Sequence, residues 1–258
     1  MENKSTLPIA VIDSGVGGIS VLRELVSLMP NENYIYFGDS KNAPYGTRAK
    51  EEVLDITRKN LELLRTIGIK ALVIACNTAT SVAAAQLRRE NPDLIIVGIE
   101  PAVKPPALQL DDPTILVMAT PLTLKEEKFR ALVREYSNDA NIIPLPCPGL
   151  VELIERGELD GDELDKYLEK LFAPFSDTKI DALVLGCTHY PHVEDAIMRH
   201  LPPSVKIFDG GRGTAMQTKR RLEAMGLLNP TNERGEVGFI NSASDEHFIE
   251  LSKKLLYR

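Results

Sequence analysis

The sequence has little that would tie it to a membrane, to nucleic acid or to the outside of a cell. No apolar run approaches the ~20 residues that a membrane helix needs. Residues 1–8 carry one lysine, one glutamate and no apolar core, so no secretory signal is read there. A formal charge of −7 and a pI near 5.3 leave no basic excess, which argues against a broad nucleic-acid-binding face. A small acidic ligand stays compatible, because a local amide-lined pocket survives a negative total. Cysteine is scarce, with three residues and no CxxC pair. Together with the missing export signal, this predicts reduced thiols in a cytoplasm. What remains is an ordinary globular composition, 43% apolar and 26% charged, over 258 residues. That length suits one large domain or two of about 100 to 150 residues.

The informative feature is a stretch that occurs twice. Residues 69–76 read I-K-A-L-V-I-A-C, and residues 180–187 read I-D-A-L-V-L-G-C. Five of the eight positions are identical, and each run ends in a cysteine followed by small polar residues. The apolar part suits a buried parallel strand and is too short for an ordinary helix. Each cysteine then falls at a strand's carboxyl end, where open α/β sheets place their ligand sites.

The repeat extends further. Ile9-Ala-Val-Ile-Asp-Ser aligns with Ile115-Leu-Val-Met-Ala-Thr, which sets Ser14 against Thr120. The interval from Cys76 to Ile96 equals that from Cys187 to Ile207. Strand-like runs at 9–12, 34–37, 69–76, 94–97, 114–118, 141–145, 180–187, 205–208 and 236–240 alternate with helical spacing. The helical stretches cover 19–29, 48–67, 81–90, 124–136, 150–156, 163–172, 193–200, 214–225 and 245–256. This alternation predicts an α/β fold of two similar, doubly wound, parallel-sheet domains. We expect a pseudo-two-fold between them, with the active site in the cleft. The expected division is 1–98 plus 209–258 for the first domain and 99–208 for the second. The tail after Asp209 has no repeat counterpart and is expected to pack back on the first domain.

Under that symmetry, one thiol stands on each wall of the cleft. A helix N-terminus after each strand would favour a thiolate and offer free N–H groups to a carboxylate. Two bases on opposite faces of a small substrate suit inversion at a carbon with an exchangeable hydrogen. One thiolate removes the proton, and the other thiol delivers one to the opposite face. Such a pair needs no electron sink, so no cofactor is expected. The neighbours of the two thiols differ: Asp13 aligns with Ala119, and His189 aligns with Thr78. Asp13 is therefore read as assisting one thiol and His189 the other.

The segments Asp13-Ser14-Gly15-Val16-Gly17-Gly18, Gly38-Asp39 with Pro44-Tyr45-Gly46, Ala75-Cys76-Asn77-Thr78-Ala79 and Gly186-Cys187-Thr188-His189-Tyr190-Pro191 carry a resemblance along nearly the whole chain. The sequence resembles the glutamate racemases of the aspartate/glutamate racemase superfamily. The resemblance implies cofactor-independent interconversion of L- and D-glutamate in the cytoplasm, supplying D-glutamate for peptidoglycan. It implies that Cys76 works on the D-enantiomer and Cys187 on the L-enantiomer. It further implies that Asp13-Ser14, Tyr45-Gly46, Asn77-Thr78 and Thr188-His189 hold the substrate, with Thr120 and Thr123 near it and Asp39 and Pro44 in the same set. A glutamate after the Cys-Pro pair is also functional in the family. Cys147-Pro148 is followed here by Glu152 and Glu155, and spacing favours Glu155. The sequence departs from the family pattern at Leu122 and Gly210, where glycine and serine are common.

Competing readings attach to single features. A cysteine at a strand end is ordinarily a small apolar residue. That suits Cys147, which has no repeat partner, but not two cysteines in matched contexts. Asp13 reads equally as a helix cap, and Asp39 as a loop stabiliser. Cys187, His189 and His192 spell C-x-H-x-x-H, a metal spacing without a second ligand cluster. Gly15-x-Gly17-Gly18 after a strand has Ser20 where a dinucleotide fingerprint needs its third glycine. The turn is read instead as one that lets backbone N–H groups approach a carboxylate. Among functions, aspartate racemisation is the near alternative. A hydrolase using Cys187 and His189 would need only one cysteine, and a non-catalytic binding module would need neither. The sequence leaves oligomeric state open, with a homodimer as one option.

Overall fold

The computed structural model describes residues 4–243 and 246–257. Asp245, where the last helix is expected to begin, lies outside the described residues. Nine strands are present among the described residues, in two wholly parallel sheets. β1 (Ile9–Asp13), β2 (Tyr34–Gly38), β3 (Ala71–Ile74) and β4 (Ile95–Gly98) belong to the first sheet. β5 (Thr114–Ala119), β6 (Asn141–Pro146), β7 (Ala182–Leu185) and β8 (Lys206–Asp209) make the second. β9 (Val237–Asn241) returns to the first. The orders are β4-β3-β1-β2-β9 and β6-β5-β7-β8. Read in opposite directions, they are the same four-strand arrangement plus one added edge strand.

The pairing register repeats as well. Ile9 faces Ala71 and Ile12 faces Ile74 in the first sheet; Ile115 faces Ala182 and Met118 faces Leu185 in the second. Leu72 opposite Ile96 matches Leu183 opposite Ile207. This is the alignment the apolar runs predict. A one-residue slip would exchange the two faces of every strand, so a match in register is a strong form of equivalence. Both sheets are covered on both faces, which is why their central strands read as unbroken apolar runs. In β1, Ile9 and Val11 enter one core while Ala10 and Ile12 enter the other. In β5, Ile115 and Val117 point one way and Leu116 and Met118 the other.

The helices in chain order are α1 (Ile19–Leu28), α2 (Lys50–Ile67), α3 (Asn77–Glu90), α4 (Lys104–Gln109), α5 (Pro121–Lys125), α6 (Glu127–Tyr136), α7 (Leu150–Glu155), α8 (Asp162–Phe172), α9 (Glu194–Met198), α10 (Gly211–Ala224) and α11 (Glu246–Leu256). Two differ from expectation. The stretch 124–136 is two helices, because Glu126 between them has an extended ψ of 144°. Helix α4 is absent from the sequence reading, and it starts on Lys104-Pro105-Pro106, where prolines fit a first turn. The prolines of β6 are tolerated because it is an edge strand.

The tail packs on the first sheet: β9 pairs with β2, while α10 and α11 lie against α1. A buried ion pair fastens it at the sheet's amino end. Lys70 Nζ bonds to Glu32 and donates to the Leu227 carbonyl at 2.9 Å, and Asn229 N–H donates to Glu32 Oε1 at 2.8 Å. Among the described residues, no helix is long and apolar enough to cross a membrane.

Candidate active site

Cys76 stands two residues after β3 and caps α3. Its Sγ accepts from the Ala79 N–H at 3.4 Å and lies 3.8 Å from Ser14 Oγ. Burial pushes the Cys76 thiol up to about 12, and the charge of Asp13 adds to the effect. The helix N–H acts in the opposite direction and does not win. The helix start favours a thiolate, as expected, but desolvation of the charged form outweighs it. Cys187 follows β7 but has no α-helix directly after it. A short 3₁₀ turn (Tyr190–Val193) comes first, and α9 begins at Glu194. Pro191 sits in that turn and disfavours helical backbone at the residue before it. In place of a helix start, Cys187 Sγ has His189 Nδ1 at 3.7 Å.

The partners of these thiols cross between the halves. Glu155, at the end of α7, has Oε1 2.6 Å from His189 Nε2 and accepts from the Val16 N–H at 3.0 Å. One backbone N–H of the glycine turn thus reaches a carboxylate, and that carboxylate is the protein's own. A Cβ on Gly15 would fall 1.8 Å from Glu155 Oε1, so this approach requires glycine. Burial opposes charge on both members of the pair. For His189, hydrogen bonds to Cys187 and Glu155 outweigh it and hold the imidazole well above its ordinary 6.5. For Glu155, the bond and charge of His189 outweigh it and hold the carboxyl below 4.5.

Asp13 accepts from Gly15 N–H and Thr188 Oγ1, each at 3.0 Å. It makes a tight Asx turn and does not cap α1, whose N-cap is Gly18. Burial raises its pKa despite His189 and these donors. His192 Nε2 lies 3.1 Å from the Gly17 carbonyl, again across the halves. The hydroxyls of Thr78, Thr120 and Thr123 form a triangle with sides of 3.0–3.1 Å.

Between these walls lies a cavity of about 20 Å³. Ser14, Pro44, Tyr45, Gly46, Cys76, Asn77, Thr78, Thr120, Cys187, Thr188 and His189 line it. Of the other residues the sequence points to, Asp13, Thr123 and Glu155 stand behind the lining, each bonded to a residue in it. Asp39 also stands away from the cavity; it is fully buried and bonded to Tyr45 at 2.5 Å. Cys147 is buried in the second half's core, with its Sγ 3.3 Å from the Leu145 carbonyl. Two lining residues, Val151 and Gly186, escape sequence reasoning. Val151 lies one helical turn before Glu155, and that i, i+4 spacing is the only signal it offers.

The family profile described as Asp/Glu/Hydantoin racemase matches residues 9–218, which include β1 to β8 and all three cysteines. The chain belongs to this racemase family. A glutamate racemase of Clostridium botulinum is 47% identical over 254 residues, covering 98% of this chain and 98% of that protein. One of Clostridium acetobutylicum is 49% identical, covering 96% and 97%. Among solved structures, glutamate racemase of Francisella tularensis in complex with D-glutamate superposes with a TM-score of 0.85 at 28% identity, over 98% of this chain and 95% of that one. The Escherichia coli enzyme, in complex with L-glutamate and an activator, gives 0.84 at 27%, over 96% and 95%. This racemase-family chain carries two parallel sheets, and residues that follow strands of both line the cavity.

Proposed function

We propose that this protein is a cofactor-independent glutamate racemase that inverts Cα through Cys76 and Cys187 and supplies D-glutamate for peptidoglycan from the cytoplasm. The observation that carries the reading is the pair of register-matched strand ends whose two thiols line one cavity. With D-glutamate bound, the Cys76 thiolate takes the Cα proton and becomes a thiol. The electron pair left on Cα is delocalised into the α-carboxylate. The Cys187 thiol then donates its proton to the opposite face, giving L-glutamate and a Cys187 thiolate. The reverse reaction exchanges these roles. The substrate ammonium assists by bringing positive charge beside a thiol that burial holds neutral. Asn77 Oδ1, buried with no hydrogen-bond partner among the described residues, is an acceptor for that ammonium. The threonine hydroxyls at 78, 120 and 123 suit a carboxylate. Glu155 is a positioning residue that holds His189 toward Cys187.

The cavity has room for one or two waters, each needing about 10–15 Å³, so substrate entry requires the halves to part. The Lys50–Glu126 ion pair at 2.7 Å and the Thr78–Thr120 contact must open for this. The test is circular dichroism of purified protein with L- or D-glutamate, with aspartate alongside. Decay of either glutamate signal toward zero, with aspartate unchanged, supports the reading. A stable glutamate signal contradicts it.

A further inference from the structure

Asp39 is one of the most completely bonded side chains in the molecule, yet it touches neither thiol. It is fully buried and directly follows β2. Tyr45 Oη donates to its Oδ2 at 2.5 Å, and Asn60 Nδ2 to the same oxygen at 3.1 Å. Asn42 Nδ2 reaches both oxygens, at 3.0 and 3.1 Å. Ser242 Oγ donates to Oδ1 at 2.5 Å. A carboxylate offers about four acceptor positions, so this one has none left for a substrate.

These donors come from three separate parts of the chain. Asn42 and Tyr45 belong to the loop that carries Pro44-Tyr45-Gly46 to the cavity wall. Asn60 stands on α2 and also lies 3.2 Å from Tyr45 Oη. Ser242 follows β9, in the tail that has no repeat counterpart. The tail grips the same loop twice more: Lys41 N–H donates to Ser242 Oγ at 3.1 Å, and Asn241 Nδ2 donates to Ser40 Oγ at 2.9 Å. At its far end the loop presses on the second half, because a Cβ on Gly46 would fall 2.7 Å from the Thr120 Cβ. A shift of this loop therefore changes the width of the cavity.

We propose that Asp39, Asn60 and Ser242 are positioning residues that hold the Tyr45 loop against the substrate, so that the tail's edge strand is part of the active-site apparatus. This rests on the racemase reading given above. The loop carries neither thiol, so loosening it weakens ground state and transition state alike. That signature is a raised KM with kcat preserved.

Ser242→Ala removes one hydroxyl at a half-buried position and spares the core. It is expected to raise KM for both glutamate enantiomers about tenfold, with kcat within about twofold of wild type. Amide hydrogen exchange at residues 43–48, measured without substrate, should quicken by a similar factor. Ser242→Thr, which keeps a hydroxyl, should restore both, and Asn60→Ala should reproduce the alanine effect. Wild-type KM and wild-type exchange in Ser242→Ala would overturn the proposal, as would a fall in kcat at fixed KM. If the wild-type protein does not racemise glutamate, the racemase reading fails, and the exchange rates alone then decide the positioning claim.

Discussion

Cys76 and Cys187 leave strands paired in one register, Ile12 opposite Ile74 and Met118 opposite Leu185, yet their sulfurs meet different chemistry. Cys76 has a helix N–H, Ser14 and the charge of Asp13, and burial pushes it up to about 12. Cys187 has His189, held well above 6.5 with Glu155 behind it. The backbone repeat provides two faces. In the proposed mechanism, the side-chain divergence sets different proton donors and acceptors on those faces. A racemase needs both properties, because the same carbon must lose a proton on one side and gain one on the other.

Removing either thiol tests whether the two sides are equally necessary. Cys76→Ala and Cys187→Ala should each lower racemisation by at least about 10³-fold, within the range and above for a lost acid–base group. Stopped-assay chiral chromatography would measure this. A hydrolase centred on Cys187 and His189 predicts instead a near-normal Cys76→Ala.

The supporting groups should matter less. Glu155→Gln should lower kcat by about 10- to 100-fold, since it acts through His189. It also alters pH dependence. Glu155 titrates lower in the folded protein than its ordinary 4.5, so its stabilisation is present above about pH 4.5 and fades below it. His189 titrates above 6.5, so its stabilisation is full below about pH 6.5 and fades as pH rises through the raised value. Denaturant unfolding should therefore show the largest gap between wild type and Glu155→Gln between about pH 4.5 and 6.5. A gap that grows steadily toward alkaline pH would contradict the pairing.

The halves also differ at the positions that precede their central strands. Lys70 is buried against Glu32, while its repeat counterpart Asp181 is a half-exposed partner of Lys179 at 2.8 Å. Lys70→Ala leaves a buried carboxylate unpaired and should cost about 3–5 kcal/mol in urea unfolding. Asp181→Ala should cost under about 1 kcal/mol. Equal losses would mean that the tail's attachment adds nothing to the first half. The smallest expected effect is none: dialysis against a chelator should leave the rate unchanged, since in the proposed mechanism both proton acceptors are thiols. A strict metal requirement would break the two-thiol account.

The equivalence of the two sheets was legible because apolar runs repeat with matched intervals, as with Ile9 and Ile115 or Cys76 and Cys187, whereas the strand order within each sheet was not. The cavity lining was legible where small polar residues follow a strand, as at Asn77-Thr78 and Thr188-His189. Other features depend on long-range packing. The break at Glu126 lies in Lys-Glu-Glu-Lys, which has no local stop signal, and it matches the reach of Lys50 across the halves. The missing helix after Cys187 was foreshadowed by Pro191 alone. Asp39 reads as a site residue through the family resemblance, but its partners at Asn60 and Ser242 are invisible without the fold.

The central claim is that each thiol serves one face. It is tested most directly by wash-out of the Cα hydrogen in deuterated water with Cys76→Ser and Cys187→Ser, followed by NMR on each glutamate enantiomer. A serine hydroxyl is a far weaker base at neutral pH, so each variant keeps one working thiol. The account predicts that Cys187→Ser exchanges the hydrogen of D-glutamate only, and Cys76→Ser that of L-glutamate only. Equal exchange of both enantiomers in both variants, or full activity in either one, would contradict it.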